Sequence, residues 1–238
     1  MKVEIIPAYK DNYIYFLTCS KSGKTAVVDP GEAEPVIDYC RRHDFKIDAI
    51  LITHHHWDHT NGIEALRDKF ASKVYAPANE PRIEHVNVTL KGGGSFEVGQ
   101  MGFQVLETPG HTKSHICLYS ESDRALFCGD ALFSIGCGRL FEGTAEQMFQ
   151  SMQKIKSLPD DTNVYCGHEY TLANIQFAKT LDGSGQALVD YEEKVKAKLQ
   201  AGQPSIPSTL GIEKQLNPFL TAANAVEFGK IRELKDNA

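Results

Sequence analysis

The sequence predicts an α+β protein in which strands and helices alternate up to about residue 170 and helices alone follow. Short runs rich in β-branched and aromatic residues recur between amphipathic stretches as far as residue 166, whereas the stretches after residue 169 have helical spacing. Hydrophobic residues make up 42% of the 238 positions, which is ample for a packed core and excludes a disordered chain. We therefore expect a mixed domain over 1–169 and a small helical domain over 170–238.

The predicted elements follow from local patterns. Strand-like runs lie at 3–6, 13–18, 25–28, 48–53, 74–76, 95–98, 103–107, 116–120, 125–128 and 163–166. Helical patterns lie at 34–43, 61–70, 144–156, 172–180, 187–200 and 212–220. The run 48–53 has a continuous apolar centre at 49–52, which is typical of a strand buried on both faces. Thr144 and Gln147 form a capping-box pattern at the start of one helix, and Ser22-Gly23 predicts a hairpin turn.

The charge balance excludes one class of partner. The chain has 25 Lys and Arg residues against 31 Asp and Glu residues, so its formal net charge is −6. Non-specific nucleic-acid binding requires a broad basic surface. We therefore expect no nucleic-acid partner, and an acidic substrate would need locally placed cations.

The cysteines and the N-terminus favour a cytoplasmic protein. The six cysteines contain no Cys-x-x-Cys pair, and a chain of this length does not need a disulfide scaffold. Pro7, Lys10 and Asp11 interrupt the apolar run that a signal peptide requires. No stretch approaches the roughly 18 apolar residues of a membrane span. We expect reduced cysteines, no membrane partner, a cytoplasmic location and a monomer.

The segment THHHWDH at 53–59 directly follows the predicted buried strand. Loops at the carboxyl ends of strands are where such proteins build functional sites. His54 and His56 point the same way if the segment is extended, and Asp58 and His59 follow as the chain turns. Imidazole and carboxylate groups in this pattern suit zinc, iron or manganese. The alternative is a solvated polar loop, which the position behind a buried strand disfavours.

Further residues able to bind a metal follow three other predicted strands. His111, Asp130 and His168 occur within PGHT, GD and GHEY, each beside a glycine that permits a tight turn. Taken singly, each could equally cap a turn. Together with the four candidate ligands of 53–59 they form a set large enough for two metal ions.

These motifs, in this order, resemble those of the metallo-β-lactamase-fold hydrolases. Within that superfamily, GCGRLFEGT at 136–144, YCGHEYT at 165–171 and NPF at 217–219 are similar to the glyoxalase II (hydroxyacylglutathione hydrolase) family. The resemblance extends over nearly the whole chain. It implies a four-layer αββα sandwich over 1–169 as the catalytic domain and an α-helical substrate-binding domain over 170–238.

The resemblance also implies the metal ligands and the catalytic residues. One metal would be held by His54, His56 and His111. The second would be held by Asp58, His59 and His168, with Asp130 bridging the two. Asp58 and Asp130 would thus be the catalytic carboxylates; Asp58 could instead be a general base, but a ligand is already ionised and committed. We expect two divalent ions per chain, zinc first, with iron and manganese as alternatives.

The implied reaction is hydrolysis of S-(2-hydroxyacyl)glutathione, typically S-D-lactoylglutathione, in the second step of methylglyoxal detoxification. Two cations about 3.5–4 Å apart can share a water and present hydroxide at neutral pH. Attack on the thioester carbonyl would release D-lactate and glutathione. A thiolate with a pKa near about 8.5 leaves with little acid assistance, which agrees with the lack of a dedicated general acid among the motifs.

Glutathione carries two carboxylates, so its binding requires cations near the site. The resemblance points to five substrate-binding residues: Arg139, Phe141, Tyr170, Arg232 and Lys235. Arg232 and Lys235 could instead form the solvated face of a terminal helix. Phe141 stands where some members have tyrosine, which removes one hydroxyl contact.

Two further histidines near these motifs are assigned supporting roles. Ser114 replaces a glycine often found before His115 in the family. His55 and His115 are interpreted as structural residues that support the ligands without binding a metal.

Two other functions fit parts of the pattern. The first is another enzyme activity on the same scaffold, such as a persulfide dioxygenase with one iron, a lactonase or a phosphodiesterase. The full ligand set, with His59 and His168, disfavours the single iron, and the acidic charge disfavours a nucleic-acid phosphodiesterase. The second is a metal-binding module without turnover. The combination of metal ligands with cations suited to a carboxylate substrate disfavours it.

Overall fold

The computed structural model describes residues 1–181 and 185–238, which form two compact units. The first unit comprises Met1–Glu107 and Ser114–Gly129, and the second comprises Thr108–Lys113 and Asp130–Ala238. The predicted α+β class with a helical C-terminal region is confirmed. Among the described residues, no helix is both long and apolar enough to cross a membrane.

The first unit contains a mixed six-stranded sheet. Its strands, in spatial and sequence order, are β1 (Lys2–Ala8), β2 (Asn12–Thr18), β3 (Thr25–Val28), β4 (Ala49–Leu51), β5 (Lys73–Pro77) and β6 (Val88–Leu90). Pairing is antiparallel from β1 to β3 and parallel from β3 to β6. Parallel neighbours require crossover connections. The helices between them are α1 (Glu34–His43), α2 (Trp57–Thr60) and α3 (Ile63–Phe70).

One face of this sheet packs on helices. Phe16 and Ile50 belong to the same buried cluster as Val36 of α1 and Leu66 of α3. All three residues of β4 are buried, as the continuous apolar run predicted. Burial on both faces holds the carboxyl end of β4 in place, and the histidine segment begins there.

The other face packs on a second, antiparallel sheet. Its strands in this unit are β7 (Ser95–Val98), β8 (Met101–Glu107), β9 (Ile116–Ser120) and β10 (Ala125–Gly129). The rings of Tyr15 and Phe127 lie 5.5 Å apart, and those of Tyr75 and Phe96 lie 5.3 Å apart. These aromatic pairs fill the space between the two sheets.

The second unit contains short strand pairs and six helices among the described residues. The antiparallel pairs are β11 (Leu132–Phe133) with β12 (Gly136–Cys137), and β13 (Asn163–Cys166) with β14 (Ser208–Thr209). The helices are α4 (Ala145–Lys156), α5 (Thr171–Ala178), α6 (Gln186–Gln200), α7 (Leu210–Leu216), α8 (Pro218–Thr221) and α9 (Ala225–Asp236). The capping box predicted at the start of α4 is confirmed.

One predicted helix is wrong in detail. The pattern at 212–220 predicted a single helix, but α7 ends at Leu216 and α8 begins at Pro218. Pro218 lacks the N–H that a continuing helix needs, and the Asn217 side chain accepts a 3.0 Å hydrogen bond from Phe219 N. The strands β6, β11, β12 and β14 were not predicted, because two or three residues show no periodicity.

Candidate metal centre and substrate cavity

The first unit brings two of the predicted ligands into register directly after β4. Nε2 of His54 lies 3.2 Å from Nδ1 of His56. The chain is extended here and turns into α2 at Trp57, with φ and ψ of −58° and 141° at His56. Two imidazole nitrogens directed at one point fit a shared cation, which agrees with the alternation expected of an extended segment.

Asp58 is held through both its carboxylate and its backbone carbonyl. Asn12 Nδ2 donates hydrogen bonds to Asp58 Oδ2 at 3.0 Å and to the Asp58 carbonyl at 3.3 Å. A Cβ at Gly31 would lie 1.9 Å from the same carbonyl oxygen, so only glycine permits this approach. The Asp58 Oδ2 atom also lies 3.7 Å from His59 Nε2. The carboxylate and the imidazole therefore face the same region.

The two histidines interpreted as structural have different neighbours, a buried carboxylate for His55 and the His54 ring for His115. His55 Nδ1 lies 3.4 Å from Glu80 Oε2, which also accepts a hydrogen bond from the Ser114 hydroxyl. Burial raises the pKa of Glu80, but hydrogen bonds from Arg82 and Ser114 outweigh it and hold that pKa below its ordinary value. His115 is fully buried, with its ring stacked 4.9 Å from that of His54. Neither placement requires a metal.

The second unit brings the other three predicted ligands together. Asp130 Oδ2 lies 3.5 Å from His111 Nε2 and 3.3 Å from His168 Nε2. His111 Nδ1 lies 2.8 Å from the Arg139 carbonyl oxygen, which can only accept. The His111 proton is therefore assigned to Nδ1, and Nε2 presents the lone pair that metal binding needs. The donor chemistry of this group fits a divalent metal.

A close backbone approach shapes this group. A Cβ at Gly138 would lie 2.1 Å from the Asp130 carbonyl oxygen and 2.8 Å from His111 Nδ1. Any other residue would displace His111 or Asp130. The second glycine of the GCGRLF motif, Gly138, is thus required by packing around the candidate ligands.

All five predicted substrate-binding residues line one cavity of about 780 Å³ in the second unit, together with His111 and Asp130. Its walls include the rings of Phe133 and Phe177. The predicted residues in the lining are Arg139, Phe141, Tyr170, Arg232 and Lys235. An apolar cavity with a few convergent polar groups is typical of a small-molecule site.

The five residues differ in how they meet the cavity. Phe141 is 62% exposed, with its ring 5.2 Å from that of His111. The Tyr170 ring stacks on His168 at 4.7 Å. The Lys235 Nζ lies 4.9 Å from the centre of the Phe177 ring. Burial, and then the Arg232 charge, lower the pKa of Lys235 to about 8.

Four supporting residues were not identified from the sequence: Asn12, Asp29, Thr53 and Glu80. Asp29 follows β3 and has a glycine two residues later, Gly31, which is close to the pattern of strand end and adjacent glycine that singled out His111, Asp130 and His168. That signal could have found Asp29. The six cysteines are free and buried.

Comparison with known families divides the chain in two. Residues 11–168 match the model of the metallo-β-lactamase superfamily, and residues 169–238 match the model of the hydroxyacylglutathione hydrolase C-terminus. A protein named hydroxyacylglutathione hydrolase from Bdellovibrio bacteriovorus is 42% identical over 243 residues, covering 98% of this chain and 97% of the relative. Another of that name, from Aliivibrio fischeri strain MJ11, is 48% identical over 226 residues, covering 94% and 88%.

Solved structures share the fold. The crystal structure of ETHE1 from Myxococcus xanthus matches with a TM-score of 0.75 and 27% identity, covering 98% of this chain and 90% of that one. The BLEG-1 B3 metallo-β-lactamase matches with a TM-score of 0.71 and 26% identity, covering 92% and 100%. The identity to the two proteins named hydroxyacylglutathione hydrolase, 42% and 48%, is higher than the identity to these two structures. The comparisons therefore do not favour the alternative activity, another enzyme on this scaffold. The chain belongs to the hydroxyacylglutathione hydrolase family of the metallo-β-lactamase superfamily.

Proposed function

We propose that this chain hydrolyses S-(2-hydroxyacyl)glutathione, typically S-D-lactoylglutathione, to glutathione and the 2-hydroxy acid, here D-lactate. The name of its relatives and the C-terminal family model support this reaction. The observation that carries the proposal is the second-unit cavity, whose lining includes both the carboxylate–imidazole group of Asp130 and His111 and three cationic side chains. One cavity thus offers a reacting centre and groups for the substrate carboxylates. We further propose that the enzyme is a monomer located in the cytoplasm. Its reaction would be the second step of methylglyoxal detoxification.

The seven predicted ligands are proposed to hold two divalent metal ions, zinc first, with iron and manganese as alternatives. His54, His56 and His111 are assigned to one ion, and Asp58, His59 and His168 to the other. Asp130 is assigned as the bridge, supported by its Oδ2 distances of 3.5 Å and 3.3 Å to two imidazole nitrogens. When bound, such a pair of ions lowers the pKa of a shared water toward about 7 and supplies a nucleophile for the thioester carbonyl.

The two carboxylates have distinct tasks in this proposal. Asp58 is assigned as a ligand and not as a general base, because a carboxylate bound to a metal is already committed; Asn12, which donates to its Oδ2, holds it in one orientation. Asp130 keeps the imidazoles of His111 and His168 at a common centre. The leaving thiolate needs no acid from the chain, since thiols ionise near about pH 8.5.

Substrate binding is assigned to the cations and aromatic rings of the cavity. Arg139 and Lys235 are proposed to pair with the glutathione carboxylates, as a fork and a point charge respectively. Phe141 and Tyr170 are proposed to flank the tripeptide. Arg232 lines the same cavity but is 4% exposed, so its contact with substrate is limited to the face it presents there.

We also propose residues 1–169 as the catalytic domain and 170–238 as the substrate-binding domain. The change of family model between residues 168 and 169 supports this division. Tyr170 precedes α5, and Arg232 and Lys235 lie on α9, so three of the five substrate-binding residues belong to 170–238.

The test is hydrolysis of S-D-lactoylglutathione, followed as loss of thioester absorbance, with metal content measured in the same preparation. We expect turnover with two metals per chain; two bound metals without turnover would contradict the reaction. S-D-lactoyl-N-acetylcysteamine, a thioester without the two carboxylates, is the matched control substrate. Loss of two charge-assisted contacts at about 1.5 kcal/mol each predicts a kcat/KM about 100-fold lower. Oxygen uptake with glutathione persulfide would instead support the dioxygenase.

A further inference from the structure

Asp29 has an unusual backbone for a buried residue. It follows β3 with φ of 49° and is 4% exposed. The left-handed region is costly for a residue with a Cβ and persists where surrounding contacts impose it. Those contacts begin with the backbone, since Asp29 N donates to the Leu51 carbonyl at 3.0 Å. The strand end that carries Asp29 is thereby fixed beside the end of β4.

Both carboxylate oxygens of Asp29 accept hydrogen bonds from the histidine segment. Thr53 N donates to Oδ1 at 2.8 Å, and the Thr53 hydroxyl donates to Oδ2 at 2.6 Å. His59 Nδ1 lies 3.2 Å from the same Oδ2. Although Asp29 lies within 4.8 Å of nitrogens of His54 and His59 and could be counted as a ligand, its oxygens are already engaged by donors. Its position suits orientation of ligands better than metal binding.

The protons of this group can be assigned by counting donors. A threonine hydroxyl has one hydrogen, and Thr53 gives it to Asp29. Toward His54 Nδ1, 3.0 Å away, the hydroxyl oxygen can therefore only accept. The proton of His54 is then on Nδ1, and the proton of His59 is likewise on Nδ1, facing the carboxylate. Both rings are left with the lone pair at Nε2.

Packing holds the Thr53 hydroxyl in this arrangement. A Cβ at Gly129 would lie 2.3 Å from Thr53 Oγ1 and 3.0 Å from His115 Nε2, so the wall behind the hydroxyl is closed. His115 stacks on the His54 ring at an interplanar angle of 27°. The Thr53 carbonyl accepts from Ile116 N at 3.0 Å. The Thr53 hydroxyl thus lies between the Asp29 carboxylate and the His54 imidazole, and packing restricts its rotation.

We propose that Asp29 is a positioning residue that sets the tautomer of two metal ligands at once, of His59 directly and of His54 through the Thr53 hydroxyl. The inference rests on the metal ligation proposed above and adds to it which ring nitrogen each of these two histidines offers. One carboxylate that is not a ligand would then serve both metals. Supporting groups of this kind typically change metal affinity by about 10–100-fold when removed.

The decisive variants are at Thr53. Thr53→Val keeps the shape but removes the hydroxyl, so His54 loses its acceptor while His59 keeps Asp29. We expect one of two zinc dissociation constants, measured by chelator competition, to rise by about 10–100-fold. Thr53→Ser keeps the hydroxyl and is the matched control, with both constants near wild type. Two unchanged constants in Thr53→Val would overturn the link to His54.

Asp29→Asn tests both ligands together. The amide has only one acceptor oxygen, so its NH₂ group must face another donor, either the Thr53 N–H or the His59 Nδ1–H. We expect both zinc constants to rise. If this variant does not fold, the Thr53 pair still decides the relay to His54.

The tautomers themselves are read by long-range ¹H–¹⁵N spectra of histidine-labelled protein, metal-free and zinc-loaded. Protons on Nδ1 of His54 and His59 support the proposal, whereas a proton on Nε2 of either ring in the metal-free protein overturns it. This measurement needs no metal, so it decides the inference separately. A wild-type protein that binds fewer than two metals, or that leaves the thioester intact, contradicts the proposed function instead.

Discussion

Arg232 Nη1 donates a 2.9 Å hydrogen bond to the carbonyl oxygen of Cys137, 95 residues earlier in the chain. The same guanidinium pairs with Asp236 at 2.8 Å and lies over the Phe219 ring. Because these contacts bury it, Arg232 ties α9 to β12 in addition to lining the cavity. A residue assigned to substrate binding by resemblance is thus also an internal anchor.

Arg232→Ala should therefore lower stability as well as raise KM. Removing one partner from this buried group leaves the Cys137 carbonyl without its donor, and we expect a loss of about 2 kcal/mol in the free energy of unfolding. Urea denaturation of the wild type and variant measures it. Lys235→Ala, from the same helix, is the control and should cost little. An unchanged unfolding midpoint in Arg232→Ala would show that the anchor contributes nothing.

Lys235 should make substrate binding depend on pH. Burial and the neighbouring Arg232 and Arg139 charges lower the pKa of its ammonium to about 8, opposed by Cys137 and Asp236. The ammonium is charged below that pKa, so its attraction for a substrate carboxylate is present at about pH 7 and lost by about pH 9. We expect KM to rise over this range with kcat little changed, as loss of uniform binding does.

Two variants isolate that effect. Lys235→Ala should have the high KM at every pH, whereas Lys235→Arg should stay charged and give a flatter KM profile. Initial rates over a substrate series at each pH provide both constants. A kcat effect without a KM effect in Lys235→Ala would argue against carboxylate binding.

Asp130→Ala should lose both metals. Its Oδ2 lies within 3.5 Å of the Nε2 atoms of both His111 and His168, so one deletion reaches both imidazoles. Metal content of the purified variant, measured by elemental analysis, checks this. Asp123→Ala, a carboxylate paired with the N-terminal amine in the first unit, is the control and should keep both metals. Full metal content in Asp130→Ala would exclude the bridging role.

Glu213→Gln should remove a pH-dependent loss of stability. Glu213 is fully buried, accepts from Ile135 N at 2.8 Å and from Asn217 Nδ2 at 2.9 Å, and burial raises the pKa of its carboxyl. The folded state therefore keeps the proton that the unfolded chain releases above about pH 4.5, and stability falls as pH rises toward the folded pKa.

The comparison is the free energy of unfolding of both proteins at about pH 5 and about pH 8, both above the ordinary pKa of a glutamate carboxyl. The variant cannot ionise, so we expect its stability relative to the wild type to increase at the higher pH. A difference between the two proteins that does not change with pH would contradict a protonated Glu213.

Much of the fold could be predicted because its signals are local. The helix Glu34–His43 and the strands Ile116–Ser120 and Asn163–Cys166 have the bounds expected from apolar patterning. The break at Asn217 was missed because Leu216 and Leu220 keep helical spacing across it, and only the caps and Pro218 separate the two helices. Strands of two or three residues exist through pairing with partners, which no local window records.

The sequence by itself indicated the family, through motifs that resemble it, and the strand ends that carry the candidate ligands, because His and Asp beside glycine after an apolar run form a local signal. Only the tertiary structure decided what those groups touch. Asp29 and His59 are 30 residues apart, and Arg232 and Cys137 are 95 apart. The proton position proposed for His54, the burial of Arg232 and the raised pKa of Glu213 each depend on atoms that packing brings close together. Desolvation shifts pKa values, and the available hydrogen-bond partners fix which atom donates. Both depend on that arrangement, so neither can be predicted without the folded structure.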